Sequence, residues 1–104
     1  MADFIRVVKA DEMPDPGKQL LEVDDSVVVL MKVGGEFYCL DDVCTHDGGP
    51  LSDGHLDDHT IACPRHGAKF DIRNGKALTM PATEDTLAHE VKIEDGWVHV
   101  RLRE

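Results

Sequence analysis

No stretch of this sequence approaches the roughly 20 consecutive apolar residues that cross a bilayer. The longest strongly apolar run is Val27-Val28-Val29-Leu30-Met31, and Asp3 and Arg6 interrupt any apolar start of the kind a signal peptide needs. The sequence therefore predicts a cytoplasmic chain with no membrane partner. Basic residues are scarce as well, 11 Lys and Arg against 21 Asp and Glu, for a net charge of −10. Such a surface repels a polyanionic backbone, so nucleic acid is a poor partner. An acidic chain suits a protein with a basic docking patch better. Cysteines number only three, an odd set that a reducing compartment keeps as thiols. A disulfide framework is thereby disfavoured, leaving metal binding or plain burial as their uses. With 104 residues, 41% hydrophobic and 31% charged, the balance is that of one compact domain spanning 1–104, not of a disordered or collagen-like polymer.

Long amphipathic helices are lacking too. Short apolar segments recur between turn signals instead, the pattern of an all-β sandwich or barrel. Strands are predicted over 4–10, 18–23, 26–33 and 36–40, with a loop and one short helical turn in 11–17. Asp24-Asp25 and Gly34-Gly35 separate the second, third and fourth of these. The middle of the chain, about 41–82, reads as a loop-rich insertion rich in Asp, Gly and Pro, with short strands at 59–63 and 68–72. Strands at 87–94 and 97–102 close the chain around Asp95-Gly96, the strongest hairpin signal present. In the last of them Val98, Val100 and Leu102 alternate with Trp97, His99 and Arg101, which gives one buried face.

The insertion holds Cys44-Thr45-His46 and, after sixteen intervening residues, Cys63-Pro64-Arg65-His66. Each turn offers one soft thiolate and one imidazole, and two such turns facing each other form a metal site of two sulfur and two nitrogen ligands. Zinc as a structural staple is the alternative. Zinc fingers, however, group Cys with Cys and His with His, whereas here the order is Cys-His-Cys-His. Cys39, flanked by Phe37 and Leu40, reads as a small buried hydrophobe. His55, His59, His89 and His99 read as exposed polar residues, and no Ser-His-Asp set, phosphate loop or nucleotide fingerprint is present.

The two motifs, continued through Gly48-Gly49-Pro50-Leu51, Gly67, Phe70-Asp71 and Pro81-Ala82, resemble those of Rieske-type [2Fe–2S] ferredoxins, and the likeness covers nearly the whole chain. It implies one [2Fe–2S] cluster per chain, with Cys44 and Cys63 on one iron, His46 and His66 on the other, and the Pro81 loop covering a third side. Two neutral imidazoles in place of two thiolates make the core less negative, so it accepts an electron at a higher potential, within roughly −150 to +300 mV. Relatives in respiratory cytochrome complexes carry a loop-to-loop disulfide and place a serine and a tyrosine hydroxyl on the cluster sulfurs. The corresponding positions here are Gly49 with Arg65, and Ala68 with Phe70. A potential near the bottom of the range is therefore expected. The resemblance implies a non-catalytic electron carrier, fed by a flavin-dependent ferredoxin reductase and emptied by the terminal oxygenase of an aromatic-ring dioxygenase. The small Rieske-like subunit of an assimilatory nitrite reductase is the second reading, and a zinc-stapled interaction module the third. Six aspartates between 41 and 58, with no Lys or Arg among them, are expected to steer the basic patches of these partners.

Overall fold

A computed structural model describes residues 3–42, 50–64, 67–79 and 84–103. They form nine strands: β1 Ile5–Lys9, β2 Gly17–Val23, β3 Ser26–Val33, β4 Glu36–Asp41, β5 His55–Asp57, β6 Thr60–Ala62, β7 Lys69–Asp71, β8 Ala88–Glu94 and β9 Trp97–Arg101. Six make one antiparallel sheet in the order β1-β9-β8-β4-β3-β2, curled into a near-barrel, and β5-β6-β7 make a second, smaller sheet. The all-β expectation, with a subdomain inserted between β4 and β8, holds.

Local chemistry sets the large sheet. The hairpin β2–β3 turns on Asp24 and Asp25 with φ of 49° and 68°, and β8–β9 turns on Asp95 and Gly96 with φ of 54° and 79°. Two left-handed residues in succession match the twist of the flanking strands, and Asp tolerates that conformation better than most side chains. The Gly34-Gly35 turn is tied to the 11–16 segment, because both amides donate to the Asp15 carboxylate at 3.0 and 2.7 Å. That segment carries the expected short helical turn, a single 3-10 turn at Ala10–Glu12.

β3 is buried on both faces, which explains its unbroken apolar run. Val28 and Leu30 point into the near-barrel with Cys39, Val98 and Val100. Val29 and Met31 point the other way and join Leu40, Leu51, Ile61, Ala68, Phe70 and Ile72 in a second core. Pairing carries this second layer outward, since Ile61 lies opposite both Leu56 and Phe70. One strand thus glues the scaffold to the inserted sheet. On the outer face of β1 and β9, Arg6 and Lys9 lie over Trp97 at 4.6 and 5.7 Å, so their stems cover the indole.

The insertion departs from expectation in one respect. The predicted strand over 59–63 is shorter, and a further strand, β5, precedes it, the two being joined through Asp58 at φ 53°. A three-residue strand reading His-Leu-Asp is too short to express a period of two, so its pattern carries no signal.

Candidate metal centre

Cys63 leaves the end of β6 and opens a tight turn. Its amide donates to the Ala68 carbonyl at 2.7 Å, and the Gly67 amide donates back to the Cys63 carbonyl at 3.0 Å. Gly67 has φ 72°, a conformation that a side chain would strain. Residues 65 and 66 lie outside the described residues, as do Cys44, His46, Gly48 and Gly49 in one segment and Pro81 and Ala82 in another. Cys63 itself is 2% exposed and shares the second core with Ala68, Phe70 and Leu51. It therefore sits against a dry apolar wall, at the start of a turn closed by two backbone hydrogen bonds.

The flanks of the other segments are pinned to the same wall. Leu51 is wholly buried in a 3-10 turn, Leu51–Asp53, that ends on Gly54. A Cβ on Gly54 would collide with the Ala62 carbonyl beside Cys63, so only glycine lets this turn close on β6. Asp42 accepts from the Ser52 amide at 2.6 Å and from its hydroxyl at 2.9 Å, which brings the two ends of 43–49 together. Thr79, just before the Pro81 segment, accepts from the Lys69 amide at 3.0 Å. The ends of all three segments that the sequence assigns to the site are thus anchored on or beside the small sheet.

Several side chains depart from their sequence-level reading. His89, expected to be exposed, has a side chain only 2% exposed, with Nε2 2.6 Å from Asp41 Oδ1. The alternation of β8 held the signal, because His89 shares the parity of Val91 and Ile93. Asp41 and Asp42, read as docking charges, are engaged internally by His89 and Ser52. Asp53, Asp57 and Asp58 are exposed as expected, and Asp47 lies outside the described residues. Cys39 is buried, and burial together with the nearby Asp41 charge pushes its thiol up to about 12. Asp71 accepts from Arg73 Nε and Nη2, both at 3.0 Å. The guanidinium holds this carboxyl below the usual carboxylate range. That pair braces the end of β7.

The donor set fits an iron–sulfur group better than a hard cation. The described donor is a buried thiol on an apolar wall, its companions in sequence are a thiol and two imidazoles, and the exposed carboxylates stand apart on the surface.

Comparison with known proteins agrees. The chain matches the Rieske [2Fe-2S] domain over residues 3–95. It is 42% identical over 91 residues to the 3-phenylpropionate/cinnamic acid dioxygenase ferredoxin subunit of Escherichia coli (strain K12), covering 86% of each chain. Its fold superposes on the Sphingomonas yanoikuyae B1 ferredoxin with a TM-score of 0.89 at 30% identity, covering 97% of this chain and 100% of that one. It superposes equally on a chain from a complex of reduced oxygenase and oxidized ferredoxin in carbazole 1,9a-dioxygenase, with a TM-score of 0.88 at 31% identity over 94% and 92% of the two chains. With the domain match, the near barrel and the inserted sheet all in agreement, the chain belongs to the Rieske [2Fe–2S] ferredoxins, which are one-electron carriers built on a two-iron cluster.

Proposed function

We propose that Cys44, His46, Cys63 and His66 hold the [2Fe–2S] cluster, the thiols on one iron and the imidazoles on the other. The chain takes single electrons from a flavin-dependent reductase and delivers them to the terminal oxygenase of an aromatic-ring dioxygenase. The observation that carries this reading is the Cys63 turn, a thiol 2% exposed on a wall of Ala68 and Phe70. The similarity to the 3-phenylpropionate/cinnamic acid dioxygenase ferredoxin subunit and to a chain of the carbazole 1,9a-dioxygenase complex of oxygenase and ferredoxin supports the choice of partner.

When bound, the cluster supplies reversible one-electron storage with no substrate turned over. The chain's residues do the rest. Leu51, Ile61 and Phe70 exclude water from the Cys63 side and rigidify it. Ala68 and Phe70 are fully buried and bear no hydroxyl, so this wall does not favour the more negative reduced state, in keeping with a low potential. Asp53, Asp57 and Asp58 present exposed acid next to the small sheet. Basic partner surfaces are steered there, raising the association rate of a small, transient complex.

Absorption and electron paramagnetic resonance spectra of the reduced protein test the ligands. Cys44→Ser, Cys63→Ser, His46→Ala and His66→Ala should each abolish the Rieske signal. A variant with an unaltered reduced spectrum refutes its residue's assignment. Stopped-flow transfer to a dioxygenase oxygenase should slow as salt rises, and Asp53→Asn with Asp57→Asn should flatten that dependence. Second-order rates independent of salt would remove the docking argument.

A further inference from the structure

A buried imidazole needs a partner for each ring nitrogen. His89 has two, and they are chemically distinct. The Arg103 backbone amide lies 3.0 Å from Nδ1. A backbone amide only donates, so Nδ1 carries the lone pair and the ring proton resides on Nε2. Nε2 then faces the Asp41 carboxylate at 2.6 Å and donates to it, a charge-assisted bond from a buried ring to a partly exposed carboxylate. Only the Nε2–H tautomer makes both bonds. The other tautomer, or a ring protonated on both nitrogens, sets two donors against each other at Nδ1.

Asp41 is the last residue of β4, where the chain departs for Cys44 and His46. Its amide donates to the Leu87 carbonyl at 2.9 Å, and the Asp42 amide donates to Val27 at 3.0 Å. The departing chain is therefore held by backbone on two sides and by His89 through its side chain. Leu87 and His89 also follow closely on the Pro81 segment. One imidazole thus links the C-terminal tail, the strand after the third loop and the root of the first. We infer that His89 is a positioning residue: its Nε2–H fixes the Asp41 carboxylate, and with it the direction in which the ligand loop leaves β4, while the Arg103 amide enforces the tautomer that this requires. The inference rests on the reading of Cys44 and His46 as ligands.

Nitrogen-15 NMR of the oxidised holoprotein labelled at histidine tests the tautomer directly. A protonated Nε2 and a bare Nδ1 are expected for His89, and the reverse assignment, or a doubly protonated ring, overturns the inference. His89→Gln places an amide donor near the Nε2 position, whereas His89→Asn mimics only Nδ1. The glutamine variant should keep the wild-type g values and the wild-type rate of cluster loss to a chelator. The asparagine variant and Asp41→Ala should lose the cluster faster, on the order of tenfold, as when a partner behind a metal ligand is removed. Equal behaviour of the Gln and Asn variants overturns the positioning role. If neither folds, unchanged g values and loss rate in Asp41→Ala overturn it. A failure of the ligand assignment shows separately, as Cys44→Ser or His46→Ala retaining the Rieske signal while the His89 tautomer is as stated.

Discussion

Changing Ala68 to Ser asks whether the wall beside Cys63 faces the cluster sulfurs. The perturbation is a single hydroxyl at a position that is 0% exposed. The Ala68 carbonyl already accepts from Cys63 at 2.7 Å, and its neighbours in the core, Phe70, Ile61 and Leu51, are apolar. No water reaches the new group, so its proton must find an acceptor within the wall or go without one. The two cases differ in kind. A hydroxyl that reaches a cluster sulfur favours the reduced state by about 0.5–1.5 kcal/mol, the worth of an ordinary hydrogen bond. For a one-electron couple 59 mV corresponds to about 1.4 kcal/mol, so the potential rises by roughly 20–65 mV. A hydroxyl with no acceptor costs about 1–3 kcal/mol of stability and leaves the potential alone. The first outcome is expected. Protein-film voltammetry at neutral pH gives the potential, and urea midpoints on the same holoprotein give the stability. An unchanged potential with a lowered midpoint and an intact cluster spectrum would refute the placement of Ala68 against sulfur.

Phe70→Ala should cost about 3–5 kcal/mol, because the ring is wholly buried where the inserted sheet meets β3 and the site cannot collapse without moving β6; urea denaturation measures it. Asp71→Asn should cost about 1 kcal/mol at pH 7, a charge-assisted pair discounted because Arg73 is 56% exposed. The Asp71 carboxyl is held below its ordinary value, so its contribution is present above the usual carboxylate range and is lost as pH falls through the lowered one. The stability gap between wild type and Asp71→Asn should accordingly close in acid, and a gap constant from pH 7 to pH 3 would contradict the pairing. Cys39, with its thiol pushed up to about 12 and only 1% exposed, should resist iodoacetamide at neutral pH in the folded holoprotein and react once urea unfolds it; mass spectrometry of the alkylated peptides reads the difference.

What the sequence made legible was whatever is encoded over a few neighbouring residues. The apolar stretch at 26–33 announced its strand, and the Gly34-Gly35 and Asp95-Gly96 pairs announced their hairpins, because turn chemistry acts within four residues. The two Cys-His motifs were legible for the same reason, each spanning no more than four residues of sequence. β5 was not, since three residues cannot display alternation. His89 is the instructive case. Its parity within β8 pointed inward, yet a histidine between Ala88 and Glu90 reads as polar surface unless its partners are known. Those partners lie 48 and 14 positions away, on Asp41 and Arg103. The same separation hid the role of Asp41, whose charge looked like one of six docking aspartates and is instead consumed within the fold. Local composition could not divide those aspartates into inward and outward sets, because the division depends on which strand β8 lands beside. Register does make it. With Cys39 opposite His89 and Leu40 opposite Ala88, the imidazole is carried to the end of β4, while Asp53, Asp57 and Asp58, the exposed members of that set among the described residues, stay on the small sheet and its loops, the part of the molecule that also carries Cys63.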